Sequence, residues 1–440
     1  MVSGQQPRLL RRMKWWRNIL LVGSLLFIAI ATLTPAESTG AFGLRPDFWC
    51  LACGTEGGAD VTLNIALFVP LGIALALLRV SPLRALAVGL LLSMTIESAQ
   101  RFGFPVGRVA SVSDLLTNSL GTLFGALMAW HHRRLIRPSA SAAAALSMLS
   151  VIIVVSFLTF TAWALGRDSN RHIAREQVLL VHSNGTFAPG YGWYHGRVSQ
   201  VSVNGTQFRQ AGDGPVILRG SAGNRLQGEL QIDGRDERRE FVPFLSVQGT
   251  HPRLPEIMMG QRNNDALLHV RLRGSQLRLP GPSLVLTQAF VAPGAVHRTV
   301  RFAVTSALWT LSSTAGTQTL DASLPVSLSL GWTLFQTVIH VGDPPARIVT
   351  LLWLFVLWLP VGYWCAIAGK PADTNDRNLG NFRRWQFVAA AVIALLFTLW
   401  LVPRAMGIAA TLPHEWGLSI AGLAVGVFLA TRFYHYIPAQ

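Results

Sequence analysis

The chain has 440 residues, of which 51% are hydrophobic and only 13% are charged, a balance typical of membrane proteins rather than soluble ones. Its formal net charge is +16, but the basic residues are scattered around apolar segments instead of forming one face, so nucleic acid is excluded as an expected partner. The length leaves room for several membrane helices and one domain outside the bilayer.

The first apolar run, residues 18–33, follows a strongly basic N-terminal segment. No small-residue cleavage site follows it, so the sequence predicts a retained helix with a cytoplasmic N-terminus. Cys50 and Cys53 form a CxxC in the next loop, where a local disulfide or two free thiols are expected, because neither a second ligand pair nor a redox scaffold accompanies them.

Three apolar segments, residues 60–80, 81–104 and 107–130, carry polar groups that are costly inside a run of about 20 residues. If the three helices alternate in direction, these groups meet at one depth on the outer side of the membrane. They are Asn64, Glu97, Gln100, Asp114 and Asn118. Arg101 and Arg108 fall in an outside loop, against the positive-inside rule, and are candidates for binding an anion or for pairing with Glu97 or Asp114.

Simpler roles remain open for the same residues. Asp114 fits a capping box with Ser111, and the amides could form a hydrogen-bond network that only fixes the bundle. Gly121 and Gly125 favour close helix packing. Glu97 and Asp114 could instead serve as acid and base. The sequence shows no nucleophile, metal triad or phosphate loop beside them, so it assigns no catalytic residue, metal or cofactor.

The chain continues with a fifth span at 142–166 and a β-rich segment at 167–325, where alternation leads into a turn at Asn204-Gly205. An interfacial helix is predicted at 326–343 and three further spans at 347–432. The predicted fold is an α-helical polytopic bundle of about eight spans with an inserted all-β sandwich. Both termini are expected in the cytoplasm and the β domain outside.

Within the β segment, Trp193 and Tyr194 form an aromatic group that could stack on a sugar. Packing in the core or in a turn is the alternative role for both rings.

Several motifs in order resemble the VanZ-like family, named after a teicoplanin-resistance membrane protein. They are Asn64-Ile-Ala-Leu-Phe-Val-Pro70-Leu-Gly72, Glu97-Ser-Ala-Gln100, Arg108, and Ser113-Asp114-Leu-Leu-Thr-Asn118 with Gly121 and Gly125. The resemblance covers roughly residues 17–135, a four-helix transmembrane domain, and implies a bacterial envelope setting and a link to glycopeptide resistance rather than a defined reaction.

The β segment resembles concanavalin A-like or laminin-G-like jelly rolls. The resemblance rests on the stretches FLSVQG, EIMMGQRNNDALLHVRLRG and HRTVRFAVTSALWTLSSTAG. The calcium-binding and carbohydrate-binding residues of those domains have no counterpart that can be placed here.

These observations together predict an inner-membrane protein of the bacterial envelope that binds an envelope glycan or a lipid-linked precursor in an accessory role. One alternative is a membrane-embedded enzyme or lipid transporter that uses Glu97 and Asp114. Another is a structural scaffold whose sandwich binds a protein partner, which the sequence does not identify.

Overall fold

The computed structural model describes residues 6–35, 48–49, 57–167, 176–181, 194–208, 216–219, 225–235, 241–248, 255–291, 297–337, 339–369 and 377–436. The chain divides into two compact units, Met1–Ala142 and Ala143–Gln440.

The first unit is helical, and the ends of its helices follow local sequence signals. Its helices are α1 (Gln6–Leu33), α2 (Gly57–Leu77), α3 (Pro82–Arg101), α4 (Val112–Trp130) and α5 (His132–Ile136). Ser81 precedes Pro82 at the start of α3, where a missing backbone N–H costs nothing. Ser111 is the N-cap of α4 and accepts a hydrogen bond from the backbone N–H of Asp114.

Small residues let α2 and α4 pack closely. A Cβ on Gly72 would lie 2.0 Å from the carbonyl oxygen of Thr122, and one on Gly125 would lie 2.1 Å from that of Val69. A Cβ on Gly121 would likewise lie 2.3 Å from the carbonyl oxygen of Ile65. The two helices therefore touch backbone to backbone, as small residues allow in membrane bundles.

The second unit opens on α6 (Ala140–Leu165) and continues into strands. The strands are β1 (Glu176–Val181), β2 (Arg197–Val203), β3 (Thr206–Phe208), β4 (Val216–Arg219), β5 (Leu226–Asp233), β6 (Val242–Gln248), β7 (Pro255–Arg262), β8 (Asp265–Val270), β9 (Ser283–Leu286), β10 (Arg298–Val304), β11 (Leu308–Ala315) and β12 (Gln318–Pro325). A first 3-10 helix, Arg273–Leu277, lies between β8 and β9.

The strands form two six-stranded antiparallel sheets. Sheet A has the order β4-β1-β6-β7-β8-β9, and sheet B has the order β12-β11-β10-β5-β2-β3. Alternate side chains of both sheets, such as Leu230 of β5 and Phe244 of β6, belong to one buried core. The expected turn at Asn204-Gly205 joins β2 to β3, and both residues have the positive φ angles that it requires. The jelly-roll assignment stays a prediction.

The interfacial helix expected at 326–343 is corrected by the structure. A second 3-10 helix, Leu328–Leu334, occupies this position, and all seven of its residues are buried. The indole N–H of Trp332 donates a 3.0 Å hydrogen bond to the hydroxyl of Thr350. The apolar side chains of this segment therefore cover the protein core instead of facing lipid.

The chain ends in α7 (Pro344–Ala368), α8 (Arg377–Leu396), a π-helical turn (Phe397–Leu401), α9 (Val402–Met406) and α10 (Pro413–Tyr436). Helices α7 and α10 pack through Gly362 and Gly426, where an added Cβ would lie 2.1 and 2.2 Å from a backbone oxygen of the opposite helix.

Among the described residues, seven helices are long and apolar enough to cross a membrane. They include α1, α2, α3, α6, α7 and α10, together with the segment Gln386–Met406. This number supports a multi-pass membrane protein. Helix α4 is not among the seven, so the count of eight spans stays a prediction.

Candidate functional site

Three helices bring most of the predicted polar residues to one end of the first unit. Helices α2 and α4 begin at this end and α3 finishes there, because α3 runs antiparallel to both. Asn64 of α2 donates a 2.6 Å hydrogen bond from Nδ2 to Oδ1 of Asp114 in α4. Groups 50 residues apart in sequence are thus joined directly.

Glu97 reaches the same place from α3. It is 7% exposed, and its Oε2 accepts a 2.8 Å hydrogen bond from the backbone N–H of Ser111. The hydroxyl oxygen of Ser111 accepts a 3.0 Å hydrogen bond from the backbone N–H of Asp114. Ser111 therefore connects the two carboxylate-bearing residues.

Asn118 lies one turn deeper in α4 and is 2% exposed. Its Nδ2 donates a 3.0 Å hydrogen bond to the hydroxyl of Ser93, which precedes Glu97 by one turn of α3. The side-chain oxygen of Asn118 is buried and has no hydrogen-bond partner within the described part of the chain. Leaving a buried acceptor without a donor lowers the stability of the folded protein by about 1–3 kcal/mol. The oxygen of Asn118 therefore either destabilises the fold or accepts a hydrogen bond from a ligand.

Gln100 and Arg108 contact α1. Gln100 donates from Nε2 to the carbonyl of Thr32 at 3.4 Å, and Arg108 donates to the carbonyls of Ala31 at 2.8 Å and Thr34 at 3.3 Å. These carbonyls end α1, where a positive charge is favourable. The structure therefore gives Arg108 a helix-capping contact.

Arg101 is exposed at the end of α3. The pairing with Glu97 that its spacing suggested is absent from the ion pairs of the described residues, which is a correction to that expectation. The carboxylate of Glu97 is instead turned toward the start of α4.

The site as a whole is rich in hydrogen-bond acceptors. Glu97 and Asp114 offer carboxylate oxygens, and Asn118 offers an amide oxygen. No donor among the described residues forms a hydrogen bond with that amide oxygen. Such a site suits a group that donates hydrogen bonds, such as a hydroxyl, amide or ammonium. Among the described residues, no group of three or more His, Cys, Asp and Glu side chains could hold a metal ion.

The aromatic candidates of the β segment do not form an exposed pair. Trp193 lies outside the described residues. Tyr194 is only 2% exposed, and its ring centroid lies 5.3 Å from that of Phe244 in the core. The expectation that Tyr194 offers an exposed ring to a sugar is therefore corrected, and the alternative of core packing describes it.

Sheet B instead carries a polar groove that the sequence analysis missed. The groove has a volume of about 620 Å³ and lies on the face of sheet B opposite the core. One row of paired residues crosses five strands of the sheet, formed by Ser202, Glu229, Arg301, Ser312 and Asp321. Arg301 and Glu229 form an ion pair at 2.9 Å. The signal in the sequence was the alternation of polar and apolar residues along each strand.

Glu415 was also missed by the sequence analysis. It is fully buried at the start of α10, where Oε1 accepts hydrogen bonds from the Ser327 hydroxyl at 2.6 Å and the Ser329 N–H at 2.8 Å. Its Oε2 accepts from the backbone N–H of Leu412 at 2.7 Å. Both carboxylate oxygens are used, so Glu415 fixes the second 3-10 helix to α10. Cys50 and Cys53 lie outside the described residues.

One protein-family model matches the part of the chain that contains the polar site. No curated protein matches the chain, and no solved structure matches it either. The family model VanZ/LLP1 matches residues 13–136, which contain every residue of the site on α2, α3 and α4. The seven apolar helices support a multi-pass membrane protein, and the match shows that residues 13–136 of it are similar to the VanZ/LLP1 family.

Proposed function

We propose that this protein is an accessory protein of the bacterial inner membrane that binds a lipid-linked envelope precursor or an envelope glycan. The observation that carries the proposal is the buried side-chain oxygen of Asn118, which has no donor among the described residues and lies beside the Glu97 and Asp114 site. Hydroxyl and amide groups of a sugar headgroup are donors of the kind that this site lacks.

The exposed Arg101 adds a positive charge at the end of α3, one turn beyond Glu97. Glu97 and Asp114 disfavour a phosphate inside the site itself, because like charges repel in a poorly solvated environment. A lipid-linked precursor would therefore place its sugar donors on the acceptors and its phosphate near Arg101, where a charge-assisted contact is available.

The groove on sheet B is the second surface in the proposal. Its row of serine, glutamate, arginine and aspartate side chains offers both donors and acceptors to an extended hydroxylated chain. Glycan binding by this groove is a separate claim from ligand binding by the helical site.

The helical site is tested with full-length protein in lipid nanodiscs and a polyprenyl-pyrophosphate-linked disaccharide as the probe. The Asn118→Leu variant should bind the probe about 5- to 30-fold more weakly, the effect of losing one or two hydrogen bonds. Thr117→Val is the matched control, because the Thr117 hydroxyl is already bonded to the carbonyl of Ser113 at 2.8 Å within α4. Equal affinities for wild type and Asn118→Leu, or no binding by wild type, would contradict the helical part.

The groove is tested by applying the same nanodiscs to an array of envelope glycans. The double variant Arg301→Ala/Glu229→Ala removes both members of the exposed pair and should abolish retention. If wild-type protein is not retained by any glycan, the groove has no part in the function.

A second candidate is a membrane-embedded enzyme or lipid transporter, favoured by the connection of Glu97 and Asp114 through Ser111. Two neighbouring carboxylates can divide the roles of acid and base. Incubation of the reconstituted protein with the labelled probe distinguishes the two. A chemically changed or translocated probe that is lost in Glu97→Gln supports this candidate, whereas bound and unchanged probe supports the accessory role.

A further inference from the structure

The first 3-10 helix, Arg273–Leu277, lies directly against the end of α6. The backbone N–H of Arg273 donates a 2.9 Å hydrogen bond to the carbonyl of Gly166, immediately after the last residue of α6. A Cβ on Gly274 would lie 3.3 Å from the carbonyl oxygen of Ala164. Because α6 is long and apolar enough to cross a membrane, its end is expected at a membrane surface, which would put this short helix near the lipid headgroups.

The surroundings of this helix are basic. Arg271, Arg273 and Arg278 lie within eight residues of one another, and residues 266–320 contain no aspartate or glutamate. The nearby Arg167 is buried, which lowers its pKa, while the charge of Glu256 acts in the opposite direction. Glu256 thus partly offsets the charge of Arg167, while Arg271, Arg273 and Arg278 bring three further positive charges to this stretch.

The stretch that holds these arginines also exposes one apolar side chain, that of Leu277. Leu277 is 49% exposed, whereas Leu272 and Leu279 on either side are 4% and 8% exposed and anchor the segment in the core. Arg278 ends the helix with φ of 56° and is exposed. Arg271 is positioned by a 3.0 Å hydrogen bond from its Nε to the Ser275 hydroxyl. Surfaces that lie in a membrane interface combine exposed apolar side chains with basic ones, as Leu277 and the neighbouring arginines do here.

We propose that Arg271, Arg273, Leu277 and Arg278 form a headgroup-contact surface that rests on anionic phospholipids of the leaflet where α6 ends. Leucine enters the acyl boundary, and the guanidinium groups contact the lipid phosphates. The position next to the end of a membrane helix favours lipid as the occupant, because headgroups are already at this level. The surface would fix the β domain against the bilayer, independently of any ligand at the helical site or the groove.

The test uses full-length protein and native mass spectrometry of bound phosphatidylglycerol, with phosphatidylcholine as the neutral comparison. Each arginine contact is worth about fivefold in affinity for an anionic surface. The double variant Arg271→Gln/Arg278→Gln should therefore bind phosphatidylglycerol roughly 10- to 30-fold more weakly, with no change for phosphatidylcholine. The single variant Arg278→Gln should bind phosphatidylglycerol about fivefold more weakly, and it replaces the double variant in the test if the double variant does not fold.

Arg262→Gln is the matched control. Arg262 lies at the turn of the β7–β8 hairpin, and Glu256 and Arg271 lie at its opposite end. Arg262 lies six residue steps along β7 from Glu256, a distance of about 20 Å. The proposal is overturned if Arg262→Gln reduces phosphatidylglycerol binding as much as the double variant does, or if the double variant binds like wild type. Displacement of the lipid by millimolar inorganic phosphate would also overturn it, because the site would then take free phosphate.

Discussion

Nδ2 of Asn64 lies 2.6 Å from Oδ1 of Asp114, so that a side chain in the second turn of α2 reaches one in the first turn of α4. The same aspartate donates its backbone N–H to the α4 N-cap, Ser111. Its position is therefore fixed from two directions. A carboxylate fixed in this way can present its remaining oxygen to a ligand without reorganising.

Substitution of Asn64 by leucine should lower the free energy of unfolding by about 1–3 kcal/mol, because the Asp114 carboxylate loses its side-chain donor in a half-buried place. The measurement is the thermal midpoint of the purified protein in detergent. Thr62→Val is the control in the same helix, since the one partner of the Thr62 hydroxyl within the described part of the chain is the carbonyl of Gly58 in α2, at 3.3 Å. Equal midpoints for the two variants would mean that the Asn64 contact contributes nothing.

Close packing of α2 on α4 predicts a steric effect at Gly72. A methyl group there would lie 2.0 Å from the carbonyl oxygen of Thr122 and 2.7 Å from the backbone nitrogen of Ala126, so Gly72→Ala should destabilise the protein by about 1–3 kcal/mol. Gly23→Ala in α1 is the control, because no atom of the described residues, apart from the neighbouring backbone of α1 itself, lies within 4 Å of the position that its methyl group would occupy. Chemical denaturation in mixed micelles compares them, and a neutral Gly72→Ala would contradict this packing.

The polar residues of the helical site were predictable because amide and carboxyl groups are conspicuous in apolar runs. Their partners were less predictable. The sequence suggested an anion or a carboxylate as the partner of Arg108, and its contact with the α1 carbonyls became visible only in the structure. For Tyr194 the sequence left both an exposed ring and core packing open, and only the structure shows that the ring is buried.

The interfacial helix predicted at 326–343 was not found for a related reason. Its moderate apolarity fits a membrane interface, but the structure buries Leu328–Leu334. One contact of this buried segment is made by Glu415, a residue 86 positions from Ser329 that accepts the backbone N–H of that serine. Long-range partners of this kind leave no periodic trace in the sequence.

Glu415→Gln should lower the free energy of unfolding by about 1–3 kcal/mol. The amide would keep one oxygen for Ser327 and Ser329 but would turn a donor toward the backbone N–H of Leu412, which loses its acceptor. Glu229→Gln is the comparison, because that carboxylate is 41% exposed and its pair with Arg301 is worth at most about 1 kcal/mol. Thermal unfolding should separate the two variants, and an equal loss would show that burial of Glu415 adds nothing.

His269 predicts a dependence of stability on pH. Burial lowers the pKa of its ring, so the folded protein favours the neutral form, whose Nδ1 lies 3.0 Å from the Ser283 hydroxyl. Since the folded pKa is below the unfolded value of about 6.5, this contribution is present above pH 6.5 and is lost as the pH falls toward the folded pKa, by up to about 1.4 kcal/mol per pH unit.

The corresponding measurement is the difference between thermal midpoints at pH 8 and pH 5.5. This difference should be smaller in His269→Gln than in wild type. An unchanged difference in His269→Gln would assign the acid sensitivity to other groups.

Helix α4 should cross the membrane although it is not among the seven helices whose length and hydropathy mark them as able to do so. It has 19 residues, a length of roughly 28 Å, which matches the hydrocarbon thickness. Its polar residues, including Asn118 and Thr122, are buried in the first unit, whereas the opposite face exposes Leu120 and Phe124. Low average hydropathy therefore reflects a polar buried face and not a polar surface toward lipid. Alkaline phosphatase, active only outside the cytoplasm, should be active when fused after Gly103 and inactive when fused after Ser139, and equal activity at both positions would place the two ends of α4 on the same side.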